Sequence, residues 1–202
     1  MLVMVSSLLT LFIGGFQILA EPLILSMADA RTLGITETIC ASGMLVSSLY
    51  LGIRGIKAGY VKILSLSLTL AGVCILGFGV FESMVLITLS GFGFFMMLPF
   101  ANTCLDFLVR TNTSVQVQGS IWGIVGFLSQ IGYVVAYGLA GMLADEIGVR
   151  FDVGVGRGAA AVIMVSGALL GVMALSVYFI KAVRMLEKEA SEAAENRKEG
   201  IV

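Results

Sequence analysis

Six mostly apolar runs, each near the length of a bilayer crossing, partition the chain at roughly 2–27, 36–54, 61–80, 84–105, 119–143 and 159–180. A helix rising 1.5 Å per residue needs about 20 residues to cross about 30 Å of hydrocarbon. The expected fold class is therefore an all-α membrane protein. Residues 1–180 form six transmembrane helices and residues 181–202 a charged cytoplasmic tail. The second run is the weakest, because it includes Thr36, Glu37, Thr38 and several serines.

Composition excludes several classes of function. Only 12% of the 202 residues are charged, against about 25% in soluble domains. The net charge is −1 and no basic cluster stands out, which leaves no electrostatic case for a nucleic-acid partner. Cys40, Cys74 and Cys104 lie in apolar stretches without paired spacing, so neither a disulfide framework nor a zinc site is expected. There is no Gly-rich loop ending in Gly-Lys, no G-x-S-x-G elbow and no cluster of metal ligands. Neither an enzyme nor a bound cofactor is expected. The start lacks a basic segment ahead of its apolar run, so no cleaved signal peptide is expected.

Lysine and arginine in the loops orient the helices. Arg54, Lys57, Lys62, Arg110, Lys181, Arg184, Lys188, Arg197 and Lys198 fall on one side, and Arg31, Arg150 and Arg157 on the other. The richer side is expected to be cytoplasmic, with both termini on it. The tail alternates acids and bases from Glu187 to Glu199, the pattern of a solvated helix laced with i,i+4 pairs or of a docking tail.

The helices differ in their polar content. The first carries Ser7, Thr10, Gly14, Gln17 and Glu21 on one face, and the second Thr36, Cys40, Gly43, Ser47, Tyr50 and Arg54. The fourth carries Thr88, Gly91, Phe95, Asn102 and Asp106, with Pro99 beside them. The fifth carries Gly119, Gly123, Gly126, Gln130, Tyr133 and Tyr137. The third and sixth hold only small hydroxyls and glycines, and read as lipid-facing or packing helices. The order polar, polar, apolar thus occurs twice. A 3+3 repeat around an aqueous path produces that order. Close-packing faces rich in small residues produce similar stripes.

Residues 98–170 carry a family likeness. It lies in L-P-F-A-N-T at 98–103, L-D-F-L-V-R-T-N at 105–112 and Q-G-S-I-W-G-I-V-G-F-L-S-Q-I-G-Y at 118–133. G-L-A-G-M-L-A-D at 138–145 and G-V-G-R-G at 154–158 extend it. The chain resembles the C-terminal six-helix half of a major facilitator superfamily transporter, closest to the bacterial macrolide-efflux-like branch. The resemblance implies a multi-pass protein of the cell membrane and proton-coupled efflux of amphiphilic drugs or metabolites. It also implies a second six-helix half, supplied by another chain or a second copy. Two positions depart from the family pattern: Ser120 stands where an arginine is usual, and the loop 52–59 lacks its acid. With half the usual helices, the chain is expected to be a transporter half or, alternatively, a truncated non-transporting fragment or membrane interaction subunit.

The candidate residues divide by depth. Gln17, Glu21, Asn102, Gln130 and Tyr133 are candidates for the substrate path or for coupling. Glu21 is an acid that proton coupling could use, or a solvated residue at the outer rim. Arg54, Lys57, Asp106 and Arg110 are candidates for a cytoplasmic gate. Asp106 and Arg110, four residues apart, are placed for a local ion pair. Pro99 and Asn102 are placed for a hinge, and the glycines around Arg157 for a flexible outer loop.

Overall fold

The computed structural model describes residues 2–56, 58–152 and 154–179, with side chains described from Thr10 to Ser176 apart from Val115. Lys57 and the tail at 181–202 lie outside the described residues. Six helices follow one another: α1 Leu2–Leu25, α2 Ala30–Arg54, α3 Tyr60–Val80, α4 Met84–Thr111, α5 Val115–Arg150 and α6 Gly154–Phe179. There is no strand among the described residues. Five helices, α2 to α6, are long and apolar enough to cross a bilayer. α1 has 24 residues, about 36 Å at the helical rise.

The helices outrun the apolar stretches that announce them. α4 continues through Asp106 and Arg110 to Thr111, and α5 begins at Val115. The polar stretch at 106–118, between the fourth and fifth apolar runs, is thus largely helical, and the link between the two helices is only residues 112–114. Backbone hydrogen bonding does not stop where lipid contact stops, so polar residues such as Gln116 and Gln118 extend the helix into water. Gln118 reaches back, its Nε2 donating to the Arg110 carbonyl at 3.0 Å. Pro99 lies inside α4, which runs unbroken past it. The glycines around Arg157 form the first turns of α6 rather than a loop. Gly154 makes the turn with φ +78°, and Gly156 and Gly158 are buried, the first against Ser26 in the α1–α2 link and the second against Ala144 of α5.

Packing skips sequence neighbours. α3 packs against α4 and α6, α2 against α4, and α1 against α5 and α6, while α1 barely touches α2 or α4. Shifting every label by three helices exchanges the α1–α5 contact with α4–α2 and the α1–α6 contact with α4–α3. The same shift returns α3–α6 to itself. The α5–α6 contact alone among the extensive ones has no comparable counterpart.

The α3–α6 seam is the core. Ser65 Oγ donates to the Ala174 carbonyl at 2.8 Å. A Cβ on Gly72 would stand 2.8 Å from the Gly167 carbonyl oxygen, and one on Gly79 would stand 2.8 Å from that of Ala160. Ser65, Gly72 and Gly79 step by seven along α3 and meet Ala174, Gly167 and Ala160 stepping by seven the other way. A repeat of seven keeps one stripe facing an antiparallel partner, and small residues let the backbones touch. The outer faces of both helices expose apolar residues, Leu66, Leu70 and Val73 on α3 and Val165, Leu169 and Val172 on α6. These helices therefore serve both roles open to them: packing inward and an apolar surface outward.

Candidate functional site

α1 and α2 are joined by the short link at 26–29 yet splay apart. Between them lies a cleft of about 290 Å³, walled by Phe16, Gln17, Ala20 and Ile24 of α1 and by Thr36, Glu37, Cys40 and Ala41 of α2. Phe78 of α3 and Phe95 of α4 close its back. The aromatic wall is a connected cluster. Phe16 meets Phe78 edge-on at 4.9 Å and Phe94 at 4.7 Å, and Phe94 meets Phe95 at 5.2 Å. Phe16 and Phe94 are buried, so the cluster is fixed by packing.

The α2 side is held by a zip to α4. Thr88 Oγ1 donates to Thr36 Oγ1 at 3.4 Å and the Cys40 thiol donates to the Thr88 carbonyl at 3.6 Å. Gly43 lies so close to α4 that a Cβ would stand 2.6 Å from the Phe92 carbonyl oxygen. The expected polar stripe of α2 is thus a packing face over Thr36, Cys40, Gly43 and Ser47, all buried, while Tyr50 and Arg54 are exposed. Glu37 follows Thr36 and turns to the edge of that face, into the cleft. α2 has 25 residues, about 37 Å against about 30 Å of hydrocarbon. Glu37 lies about 10 Å along the helix from the start of α2, and its side chain is exposed. No salt bridge reaches it among the described residues; the ion pair found there joins Arg157 and Glu82, both exposed.

The other sequence candidates scatter. Gln17, exposed, lines the cleft, whereas Glu21, also exposed and one turn nearer the C-terminal end of α1, does not. Asn102 is exposed on α4 and Gln130 on α5. Tyr133 is half-buried, its ring against Gly14 and 5.8 Å from that of Tyr137. The α5 stripe is open: Gly119, Gly123 and Gly126 have nothing within 4 Å of a would-be Cβ. The packed face of α5 is a different one, Gly132, Ala136, Ala140, Ala144 and Gly148, stepping by four and buried. Of the gate candidates, Arg54 and Arg110 are exposed and Asp106 is half-buried, and no ion pair joins Asp106 to Arg110. Glu37 is the residue that sequence reasoning passed over. Its signal was an acid inside a spanning helix, a position that carries a cost in lipid and marks function.

A larger hollow of about 610 Å³ lies where the C-terminal ends of α1 and α3 meet the N-terminal end of α6, beside the Glu82–Arg157 pair. Its charged groups already pair with each other at the exposed surface. The α1–α2 cleft instead brings Gln17 and Glu37, both exposed, beside a wall of aromatic side chains, with no ion pair to Glu37 among the described residues, and so is the stronger site. Comparison with protein-family models, curated proteins and solved structures finds no match.

Proposed function

We propose that this chain is one half of a secondary transporter of the major facilitator kind. It exports amphiphilic molecules across the cell membrane against a proton flow, with a second six-helix unit completing the path. The observation that carries this reading is the exchange of helix contacts under a shift of three. Three spans reverse direction across a membrane, so a three-helix repeat is an inverted one, the architecture on which many secondary transporters alternate access. Uncovered polar groups on α1, α2 and α5, namely Gln17, Glu37 and Gln130, support a path on that side. They face neither the α3–α6 core nor, at reasonable energetic cost, lipid tails.

Vesicles test the reading directly. The chain is reconstituted at high density, so that copies can meet, with a pH gradient across the membrane and a pH dye inside. Addition of amphiphilic compounds is expected to dissipate the gradient faster than in protein-free vesicles. A panel of neutral and cationic amphiphiles that leaves the gradient at the protein-free rate overturns the transport reading and favours a membrane interaction subunit.

A further inference from the structure

We propose that the end of the bundle formed by the finish of α2 and α4 and the start of α3 docks an anionic phospholipid. Arg54, Lys62 and Arg110 hold its headgroup, and an acyl chain lies along α3. The inference requires only that α2, α3 and α4 cross a bilayer, and it is independent of transport.

Helix registers bring the three cations to one end of the molecule. α2 runs parallel to α4: Thr36 and Cys40 both meet Thr88, and the Tyr50 ring lies 6.1 Å from that of Phe100. The same register carries Arg54, one turn beyond Tyr50, level with the turn of α4 around Leu105. α3 runs antiparallel to α4. A Cβ on Gly91 would meet the Phe78 ring at 3.3 Å, and Tyr60 stacks on Phe107 with ring centroids 3.7 Å apart. That register brings Lys62 level with the same turn, and Arg110 follows Phe107 within the last turn of α4. Arg54 is the final residue of α2, and Lys62 lies in the first turn of α3. All three helices are long and apolar enough to cross a bilayer, so the cations stand where the apolar spans give way to headgroups.

Two features select the occupant. The first is charge. Arg54, Lys62 and Arg110 are exposed, and none is ion-paired among the described residues. Half-buried Asp106 is the one acid described at this end, whereas Asp29, Glu82, Asp145, Glu146 and Asp152 stand toward the other. Exposed basic residues at a membrane surface attract anionic lipid, each adding to the preference. The second is the surface below the charge. Lys62 tops a column of Leu66, Leu70 and Val73, all exposed on the outer face of α3 and repeating at helical spacing. A phosphate joined to an acyl chain matches both the cations and the column. A free anion matches only the cations.

Native mass spectrometry of the full chain in detergent tests the proposal, comparing phosphatidylglycerol with phosphatidylcholine of the same acyl chains. Wild type is expected to bind the first phosphatidylglycerol about tenfold more tightly, and added salt is expected to reduce that preference. Arg54→Gln, Lys62→Gln and Arg110→Gln together are expected to bring the two lipids to equal affinity. Arg54→Lys with Lys62→Arg and Arg110→Lys, which keeps the charges, retains the preference. Arg31→Gln with Arg150→Gln, at the other end, also retains it. Equal affinities in wild type, a preference that salt leaves unchanged, or one that survives the triple glutamine variant overturns the proposal. The first two of these need no variant to fold. Glycerophosphoglycerol, the same headgroup without acyl chains, is expected to leave the lipid bound when added at equal concentration. Its complete displacement of the lipid assigns the cations to a free phosphate and overturns lipid docking.

Discussion

Asp29 begins α2 as its N-cap. Its Oδ1 accepts from the Thr32 hydroxyl at 2.6 Å and from the Thr32 amide at 3.0 Å. The hydroxyl first, and then the amide, hold the carboxyl below its usual 3.8. A depressed folded value means that the cap stabilises the helix start at neutral pH and loses that contribution as pH falls through the folded value. An NMR titration of the Asp29 carboxyl carbon is expected to give a midpoint below 3.8, and Thr32→Ala to move it back up. Glycines offer a second contrast at this scale. Gly43 has the Phe92 carbonyl where a Cβ would go, and Gly126 has open space. Gly43→Ala is expected to destabilise the chain by about 1–3 kcal/mol through overpacking. Gly126→Ala is expected to be neutral or to stabilise by up to about 1 kcal/mol through helix propensity. Thermal unfolding of the monomeric chain in detergent measures both.

The α3–α6 seam shows what an element can and cannot reveal in its sequence. Its heptad of small residues is written in Ser65, Gly72 and Gly79 and again in Ala160, Gly167 and Ala174, and it needs only pairing to be read. Gly72 and Gly167 occupy each other's space, a Cβ on Gly167 standing 2.9 Å from the Gly72 carbonyl oxygen. Gly72→Ala and Gly167→Ala are each expected to cost about 1–3 kcal/mol. The double variant should cost less than their sum by about 0.5 kcal/mol or more, because the first has already parted the backbones. Full additivity in unfolding measurements would sink that account. The six helices were legible because lipid imposes a length. Their ends were not, because charged residues such as Asp106, Arg110, Asp145, Glu146 and Arg150 lie within the helices. The stripes on α2 and α5 look alike in composition, and one faces inward while the other lies open. Small residues suit both surroundings, so periodicity finds the stripe without finding its partner. Gln17 could be picked out as too large for a packing contact. Glu37 was hidden because it flanks the small-residue stripe rather than belonging to it.

For the whole molecule, orientation is the property with the most direct test. Ser83 and Ser114 are exposed N-cap residues of α4 and α5, neither making a side-chain cap bond. The lysine and arginine balance puts Ser83 outside and Ser114 inside. In a cysteine-free background, an impermeant maleimide added to intact cells is expected to label Ser83→Cys and to reach Ser114→Cys only after lysis. The reverse pattern inverts the topology and moves the Glu37 cleft to the cytoplasmic half of the membrane. The skipping of sequence neighbours in the packing also sets an order in time. When α3 leaves the ribosome, the first three helices have almost no surface in common, since α1 barely meets α2 and neither packs extensively on α3. α4 is the first arrival able to gather two earlier helices, and α1 waits for α5 and α6. Until α4 inserts, α1, α2 and α3 have few contacts with one another. The risk of premature clearance therefore falls on that interval rather than on the finished bundle.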